Sequence, residues 1–292
     1  MKIKHWVIFI AVGLIWSSSF LWIKIALREI DPTALVAFRM FFGVLTATAI
    51  VVYQKGEWPR DWKTWGIFAI LGPTSLAIPV FLVSWGEKSI DSAVASVLHA
   101  TAPLFTLMIA HYWLHDEKMT LQRVFGLLLG FAGIVVLLSK DLLASEHNSV
   151  IGQAAVILAS LFYAGSAVFA RKHTQHVTGS AIAAPIVITA TLFMWLIIPF
   201  TETSITIPVL PGTWISILWL GILASGLALV MNYQLLHEIG PTRIMMITYV
   251  FPPGGIILGV IFLKERISWQ LFAGAALIVA SLIVVNRQPK TP

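Results

Sequence analysis

Residues 64–72 read Thr-Trp-Gly-Ile-Phe-Ala-Ile-Leu-Gly, and residues 213–221 read Thr-Trp-Ile-Ser-Ile-Leu-Trp-Leu-Gly. Both stretches begin with Thr-Trp and end with Leu-Gly, and 149 residues separate them. The same separation relates Pro103 to Pro252. Duplicated membrane halves commonly enclose a binding site at their interface. The repeat therefore favours a transporter, provided that the chain lies in a membrane.

The composition indicates that lipid is the solvent of this chain. Of its 292 residues, 58% are hydrophobic and 11% are charged, and the mean hydropathy is +0.89. Soluble domains carry about 25% charged residues. The chain has no cysteine, which excludes disulfides, thiolate catalysis and cysteine metal ligands. Its net charge of +6 is spread over many short loops, whereas nucleic-acid binding needs basic residues on one face.

Ten apolar windows are long enough to span a bilayer, which takes about 20 residues. The first continues through Leu27 and is too long for a signal peptide, so we expect it to be retained. These windows predict an all-α integral membrane protein with ten transmembrane helices, near residues 5–27, 33–53, 64–85, 92–113, 120–138, 150–170, 179–200, 213–234, 243–263 and 268–286.

The loop charges predict the orientation of these helices. If both termini are cytoplasmic, twelve Lys and Arg residues lie on the inner side and five on the outer side, as the positive-inside rule requires. Five helices per copy then make the two repeats inverted. We expect one membrane domain over 1–292, in the cytoplasmic (inner) membrane, with repeat one at about 5–138, a linker at 139–149 and repeat two at 150–286.

Several motifs resemble the drug/metabolite transporter superfamily, in particular the EamA branch of YddG-like ten-helix exporters. They cover nearly the whole chain and are Gly13-Leu-Ile-Trp-Ser-Ser18, Phe38-Arg39, Ala102-Pro-Leu-Phe105, Glu117, Gly126, Phe251-Pro252-Pro253, Lys264-Glu265-Arg266 and Gly274. The resemblance implies export of amino acids and related metabolites. More distant relatives move nucleotide sugars and triose phosphates.

Two basic residues, Lys24 and Arg39, fall within predicted helices, where a charge is costly and usually faces the interior of the bundle. The stem of Lys24 can extend its ammonium to the outer interface. Arg39 has two interpretations. Its guanidinium can receive a substrate carboxylate or phosphate in a bidentate manner, or it can hold neighbouring helices together through their carbonyls.

His99 is the only histidine well inside a predicted helix. Its ordinary pKa near 6.5 makes it a candidate proton acceptor, so protons are a candidate partner. The alternative is a neutral histidine hydrogen-bonded within the bundle. No second histidine or carboxylate stands at ligand spacing on the same helix, so we expect no metal site. The thirteen acidic residues all fall in loops or near helix ends, which disfavours coupling through a carboxylate at mid-membrane.

Prolines within the predicted helices remove backbone donors and free carbonyls. In a transporter, such breaks expose polar backbone to a substrate and let a helix flex; otherwise they only shape packing. We predict that they act as helix breaks or gates at Pro79, Pro103, Pro252 and Pro253.

Polar and aromatic residues at mid-helix, among them Ser160, Tyr233 and Thr248, would suit a cavity for a small amphipathic solute, although each one alone also fits ordinary packing. Together with the two residues already discussed, the predicted substrate-binding set is Trp16, Ser17, Arg39, His99, Tyr163, Asn232 and Tyr249.

The main functional hypothesis is a secondary transporter that exports small organic metabolites, chiefly amino acids, by alternating access. The alternative is an exchanger of anionic phosphorylated metabolites with the same fold. No hydrolase, zinc-protease or nucleotide-binding motif is present, so we expect neither an enzyme nor an ATP-driven pump. We expect a small-molecule substrate, a lipid environment, no nucleic acid and no cofactor, and a monomer is plausible.

Overall fold

A computed structural model of the chain describes residues 1–90, 92–137, 139, 149–177, 179–201, 206–251, 253 and 269–286. All regular structure in these ranges is helical, which agrees with the predicted all-α class. Most of the predicted linker and most of the ninth predicted helix lie outside the described residues.

The α-helices are numbered in chain order. They are α1 Ile3–Ser17, α2 Ser19–Ala26, α3 Pro32–Tyr53, α4 Trp62–Gly72, α5 Ile78–Gly86, α6 Ser92–His99, α7 Ala102–Trp113, α8 Leu121–Leu137, α9 Val150–His173, α10 Gly179–Ile197, α11 Pro211–Leu218, α12 Ala228–Ile239, α13 Pro241–Met245 and α14 Trp269–Asn286.

Seven helical stretches of the described residues are long and apolar enough to cross a membrane: Ile3–Ala26, Pro32–Tyr53, Trp62–Gly86, Val94–Trp113, Val150–His173, Ala181–Phe200 and Pro211–Ile239. Two shorter apolar helices, Leu121–Val136 and Ala276–Val285, coincide with the fifth and tenth predicted windows. The chain is thus a helical membrane protein.

Two π-helical segments interrupt the bundle at corresponding places in the two halves. The first, Pro73–Ala77, joins α4 to α5, and the second, Trp219–Leu227, joins α11 to α12. Pro79, in the first turn of α5 just after the first segment, has no N–H for the carbonyl one turn before it, which weakens the α-helical ladder there. The second segment contains no proline but includes Gly221 and Gly226. Such π segments are rare in proteins as a whole, but those that occur are often found at functional sites.

Two equivalent hydrogen bonds, one in each half, are separated by the same 149 residues as the repeated sequence motifs. The indole of Trp65 donates to the Pro59 carbonyl at 3.0 Å, and the indole of Trp214 donates to the Pro208 carbonyl at 2.8 Å. Each bond fixes the loop that leads into α4 or α11. The two halves therefore share local geometry as well as residue types.

Backbone N–H groups at the starts of α4 and α11 receive their hydrogen-bond acceptors in different ways. Asp61 caps α4 by accepting from the Thr64 N–H at 2.8 Å. The corresponding residue before α11 is Leu210, which cannot cap, and Glu29 from the other half accepts from its N–H instead. A hydrogen bond from the Thr213 side chain, with those from the backbone, holds the pKa of Glu29 below its usual value. A carboxylate thus stabilises both helix starts.

Contacts between loops form two groups. If successive predicted helices cross the membrane in opposite directions, all the loops of one group lie on the same face of the membrane. The first group contains Glu29–Leu210, Lys88–Asp31 and Ser149–Ser89. The second contains His5–Glu238, Arg171–Asp116 and Thr64–His176.

Glycines allow the two halves to approach closely. A Cβ at Gly72 would lie 2.6 Å from the Ala190 nitrogen in α10, and one at Gly221 would lie 3.1 Å from the Arg39 carbonyl in α3. The halves therefore cross backbone to backbone, as small residues permit in membrane helices.

Gly72→Ala is expected to destabilise the protein by about 1–3 kcal/mol, since the added methyl group overpacks the crossing with α10. Gly66→Ala in the same helix is the matched control, because nothing lies within 4 Å of its Cβ position. Thermal unfolding in detergent micelles should show a lower midpoint for the first variant and an unchanged or higher one for the second. Equal midpoints would contradict the close crossing.

Candidate functional site

A cavity lies between the two halves of the bundle, where both π segments face it. It offers about 110 Å³ of space for the centres of water molecules. One water needs about 10–15 Å³ on this measure, so the cavity has room for a small organic solute.

Corresponding residues of the two halves line this cavity in pairs. Each pair is separated by the 149 residues of the repeat, and the pairs are Ser75 with Ala224, Val80 with Leu229, Val83 with Asn232, and His99 with Thr248. The cavity is thus built by equivalent segments of the two copies, although the side chains differ.

Arg39 gives the cavity a permanent positive charge. It is buried, with 6% of its surface exposed, and its Nε donates to the Ser225 hydroxyl at 2.7 Å. Its two terminal nitrogens have no hydrogen-bond partner among the described residues. The bond to Ser225 fixes the plane of the guanidinium, which leaves its terminal donors available to a ligand. Arg39 thus links helices through a hydroxyl rather than through carbonyls, and its role in substrate binding stays a prediction.

Other polar groups face the cavity from three helical elements. The Oδ1 of Asn232 is buried and has no partner among the described residues. The indole of Trp16 donates to the Ala224 carbonyl at 2.9 Å, in the second π segment. The Tyr233 hydroxyl donates to the Ser75 hydroxyl at 3.3 Å. Asn232 therefore presents an acceptor that a ligand with N–H or O–H groups can satisfy.

Rings form one wall of the cavity. The His99 ring stacks on Phe251 with centroids 5.6 Å apart and meets Tyr163 edge-on at 5.1 Å. Phe20 packs edge-on against Phe251 at 5.8 Å. The Nδ1 of His99 has no hydrogen-bond partner in the described part of the chain. This wall suits the apolar part of a ligand.

No carboxylate lines the cavity among the described residues. The same residues contain no group of three metal-ligating side chains. With Arg39 as the fixed charge, the electrostatics of the cavity favour a ligand that carries an anionic group.

Five of the seven residues predicted to bind substrate line the cavity: Trp16, Arg39, His99, Tyr163 and Asn232. Ser17 and Tyr249 do not. Ser17 donates back to the Leu14 carbonyl in its own helix at 2.9 Å. The Tyr249 hydroxyl donates to the Leu127 carbonyl at 2.9 Å, so this residue links its segment to α8 instead.

Three of the four predicted helix breaks lie within the described residues. Pro79 follows the first π segment, and Pro103 lies in the first turn of α7, immediately after the interruption that separates it from α6. Pro253 is half-buried, and Pro252 lies outside the described residues. None of the described three lines the cavity.

Thr248, one of the mid-helix polar residues that the sequence analysis placed in the cavity, does line it. Ser75 and Phe251 line the cavity but were not predicted. Nothing in the sequence distinguishes Phe251 from the many other aromatic residues of the chain.

The Lys24 ammonium binds the turn after α5, and its extension to the outer interface stays a prediction. Its Nζ donates to the backbone carbonyls of Glu87, at 2.6 Å, and Ile90, at 2.9 Å. The turn after α5 leaves these carbonyls without helical partners, and the ammonium satisfies them. Lys24 thus anchors this turn to α2.

Comparison with known proteins places these features in context. The EamA-like transporter family model matches residues 4–139 and 150–287. The chain is 23% identical to an uncharacterized transporter, YoaV, of Bacillus subtilis, over 94% of each chain. It is 25% identical to a probable terminal-alkyne amino-acid exporter of Streptantibioticus cattleyicolor, over 94% of this chain and 90% of that one.

A probable amino-acid metabolite efflux pump of Escherichia coli is 23% identical, over 97% of this chain and 95% of its own. A solved crystal structure has a TM-score of 0.79 at 22% identity and covers 98% of this chain and 99% of that one. At this identity the structural match shows that the fold is shared.

Because the chain has no cysteine, single cysteines report directly on the cavity. Ala167→Cys, on the cavity wall, should react with a small water-soluble methanethiosulfonate, while Ala159→Cys, buried on the same helix but outside the cavity, should not. Reactivity follows access to the thiolate. The rates of modification in proteoliposomes test this, and equal rates at the two positions would contradict the cavity.

Proposed function

The chain belongs to the EamA-like transporter family, and we propose that it is a secondary transporter that exports small organic metabolites, chiefly amino acids. The observation that carries this proposal is Arg39, held by Ser225 with its terminal nitrogens open to a cavity that contains no carboxylate among the described residues.

An amino acid has groups that match the cavity. Its carboxylate can take two parallel hydrogen bonds from the guanidinium of Arg39. Its ammonium can donate to the Oδ1 of Asn232, which otherwise lacks a partner. An apolar or aromatic side chain would then pack against the wall formed by His99, Tyr163 and Phe251. The terminal nitrogens of Arg39 and the Oδ1 of Asn232 thereby receive partners.

The direction of transport rests on the relatives. Two of them are named as a probable amino-acid exporter and a probable amino-acid efflux pump. These names support amino acids as substrates and export as the direction, and the chemistry of the cavity is compatible with both.

We also propose the finer architecture: ten transmembrane helices in two inverted repeats, within a single membrane domain. The paired indole bonds of Trp65 and Trp214, the matching π segments and the paired cavity residues support it. The excess of basic loop residues supports cytoplasmic termini and, in a bacterium, the inner membrane.

Alternating access follows from this arrangement. The π segments and the interruption between α6 and α7 lie around the cavity, where helix hydrogen bonding is weakest. Predicted helices three, four and eight contain these features, and a 3₁₀ segment at Met246–Val250 interrupts the start of helix nine. We therefore propose that these four helices swing about the cavity to open each side in turn.

A phosphorylated substrate is less well supported. A phosphate monoester carries close to two negative charges at neutral pH, whereas Arg39 is the one permanent cation on the described cavity wall. An exchanger of such metabolites would need further basic groups there.

Counterflow in proteoliposomes tests the substrate class. Vesicles are loaded with unlabelled amino acids, and uptake of a labelled aromatic amino acid is followed, beside vesicles loaded with a phosphorylated sugar. Uptake driven by amino acids supports the proposal. Uptake driven only by the phosphorylated solute would replace it with the exchanger.

Arg39→Gln is expected to raise the half-saturation concentration for an amino acid roughly 10- to 100-fold, because a hydrogen bond to a charged group contributes about 1.5–3 kcal/mol. Arg39→Lys should recover only part of this loss, because an ammonium lacks the bidentate fork. Arg28→Gln, at an exposed arginine, is the matched control.

The amide of the same amino acid gives a second comparison. Wild-type protein should prefer the acid, and Arg39→Gln should lose that preference while binding the amide much as before. A preference that persists in Arg39→Gln would place the carboxylate elsewhere.

A further inference from the structure

Glu87, which follows the last residue of α5, is a buried carboxyl that the proposed function does not use. None of its surface is exposed, and neither carboxylate oxygen has a hydrogen-bond partner in the described part of the chain. An ionised carboxylate without partners in such surroundings costs many kcal/mol, so the group takes up a proton instead.

Lys24 is adjacent but does not neutralise this carboxylate. Its Nζ donates to the backbone carbonyls of Glu87 and Ile90 and forms no ion pair with the carboxylate. Burial raises the pKa of Glu87 well above its usual value, and the positive charge of Lys24 opposes this only in part. In this conformation Glu87 is therefore a neutral acid.

The other described elements packed around α5 bring no second charge to Glu87. Helix α9 has no charged residue before Arg171, at its opposite end. Helix α6 offers only His99, in the cavity wall. On α3, Asp31 pairs with Lys88 at 3.4 Å, and Arg39 faces the cavity. Lys24 is the charged group that acts on Glu87.

The pair Lys24 and Glu87 lies at one end of the cavity. Val83, one helical turn before Glu87, lines the cavity, as does Ile23, which precedes Lys24. The same end carries the loop contacts of Glu29 with Leu210 and of Lys88 with Asp31. In the proposed topology this is the outer side of the membrane.

We propose that Glu87 is a proton-binding site that must be occupied for this end of the carrier to close. With the proton bound, the carboxyl tolerates burial and Lys24 ties α2 to the turn after α5 through two carbonyls. When the O–H bond of Glu87 breaks, the proton passes to water at this end. The carboxylate left behind draws water or the Lys24 ammonium, which must leave those carbonyls, and the end opens.

Closure of this end is one step of the transport cycle. The predicted effect of Glu87 on the rate of transport therefore rests on the proposed function. The protonation itself does not depend on the substrate. The two parts are therefore tested by two measurements, and failure to transport amino acids would leave the first measurement intact.

Infrared spectroscopy of the full-length protein in lipid tests the proton directly. At neutral pH, wild-type protein should show the carbonyl band of a neutral carboxylic acid, and Glu87→Gln should lose it. Asp31→Asn, at an exposed carboxylate beside the same turn, should keep it. The proposal is overturned if wild-type protein lacks the band at neutral pH or if Glu87→Gln retains all of it.

Exchange across proteoliposomes tests the consequence. As the pH at the Glu87 end rises through the raised pKa of this residue, the protonated fraction falls about tenfold per pH unit, and exchange should slow in parallel. Glu87→Gln, which stays neutral, should exchange at the low-pH wild-type rate over the whole range. A pH profile unchanged from wild type in this variant would overturn the role in closure.

Discussion

The absence of water within the bilayer is the constraint on which this structure depends, because every polar backbone group there needs a partner from the protein. Interruptions of the helices create such groups, and side chains from distant helices supply the donors. Trp16 donates to the Ala224 carbonyl in the second π segment, and Lys24 donates to two carbonyls of the turn after α5. These long-range bonds fix how the irregular segments pack, and the irregular segments form the cavity.

The same lack of water explains why polar groups that remain unpaired at the cavity indicate a binding site. Asn232 Oδ1 and His99 Nδ1 lack partners among the described residues, as do the terminal nitrogens of Arg39, and all three residues line one cavity. Unsatisfied groups in a membrane interior destabilise the fold, and a ligand that satisfies them gains the same free energy on binding. Their concentration at one place is a stronger argument for a binding site than the cavity volume.

The sequence was most informative where a physical rule acts on long segments. Apolar length predicted the helices, and the repeat predicted which segments correspond, because both follow from the thickness and chemistry of the bilayer. The hydrogen-bond partners of individual side chains were harder to predict, because they depend on which helices cross next to each side chain. Ser17 was expected in the cavity and bonds within its own helix, and Glu87 was expected in a loop and is buried. A carboxyl at a helix end is exposed or buried according to neighbours that a pattern does not reveal.

The two copies share π segments and indole bonds but differ in the side chains at corresponding cavity positions. Asn232 corresponds to Val83, Thr248 to His99, and Arg39 to Ile188. The proposed alternating access would require similar backbones in the two halves, because each would adopt the conformation of the other. Recognition of a small asymmetric solute requires the opposite, since its charged and apolar ends need different surroundings. The differences therefore fall where a ligand would bind, while the shared features, the π segments and the indole bonds, fall where the helices must move.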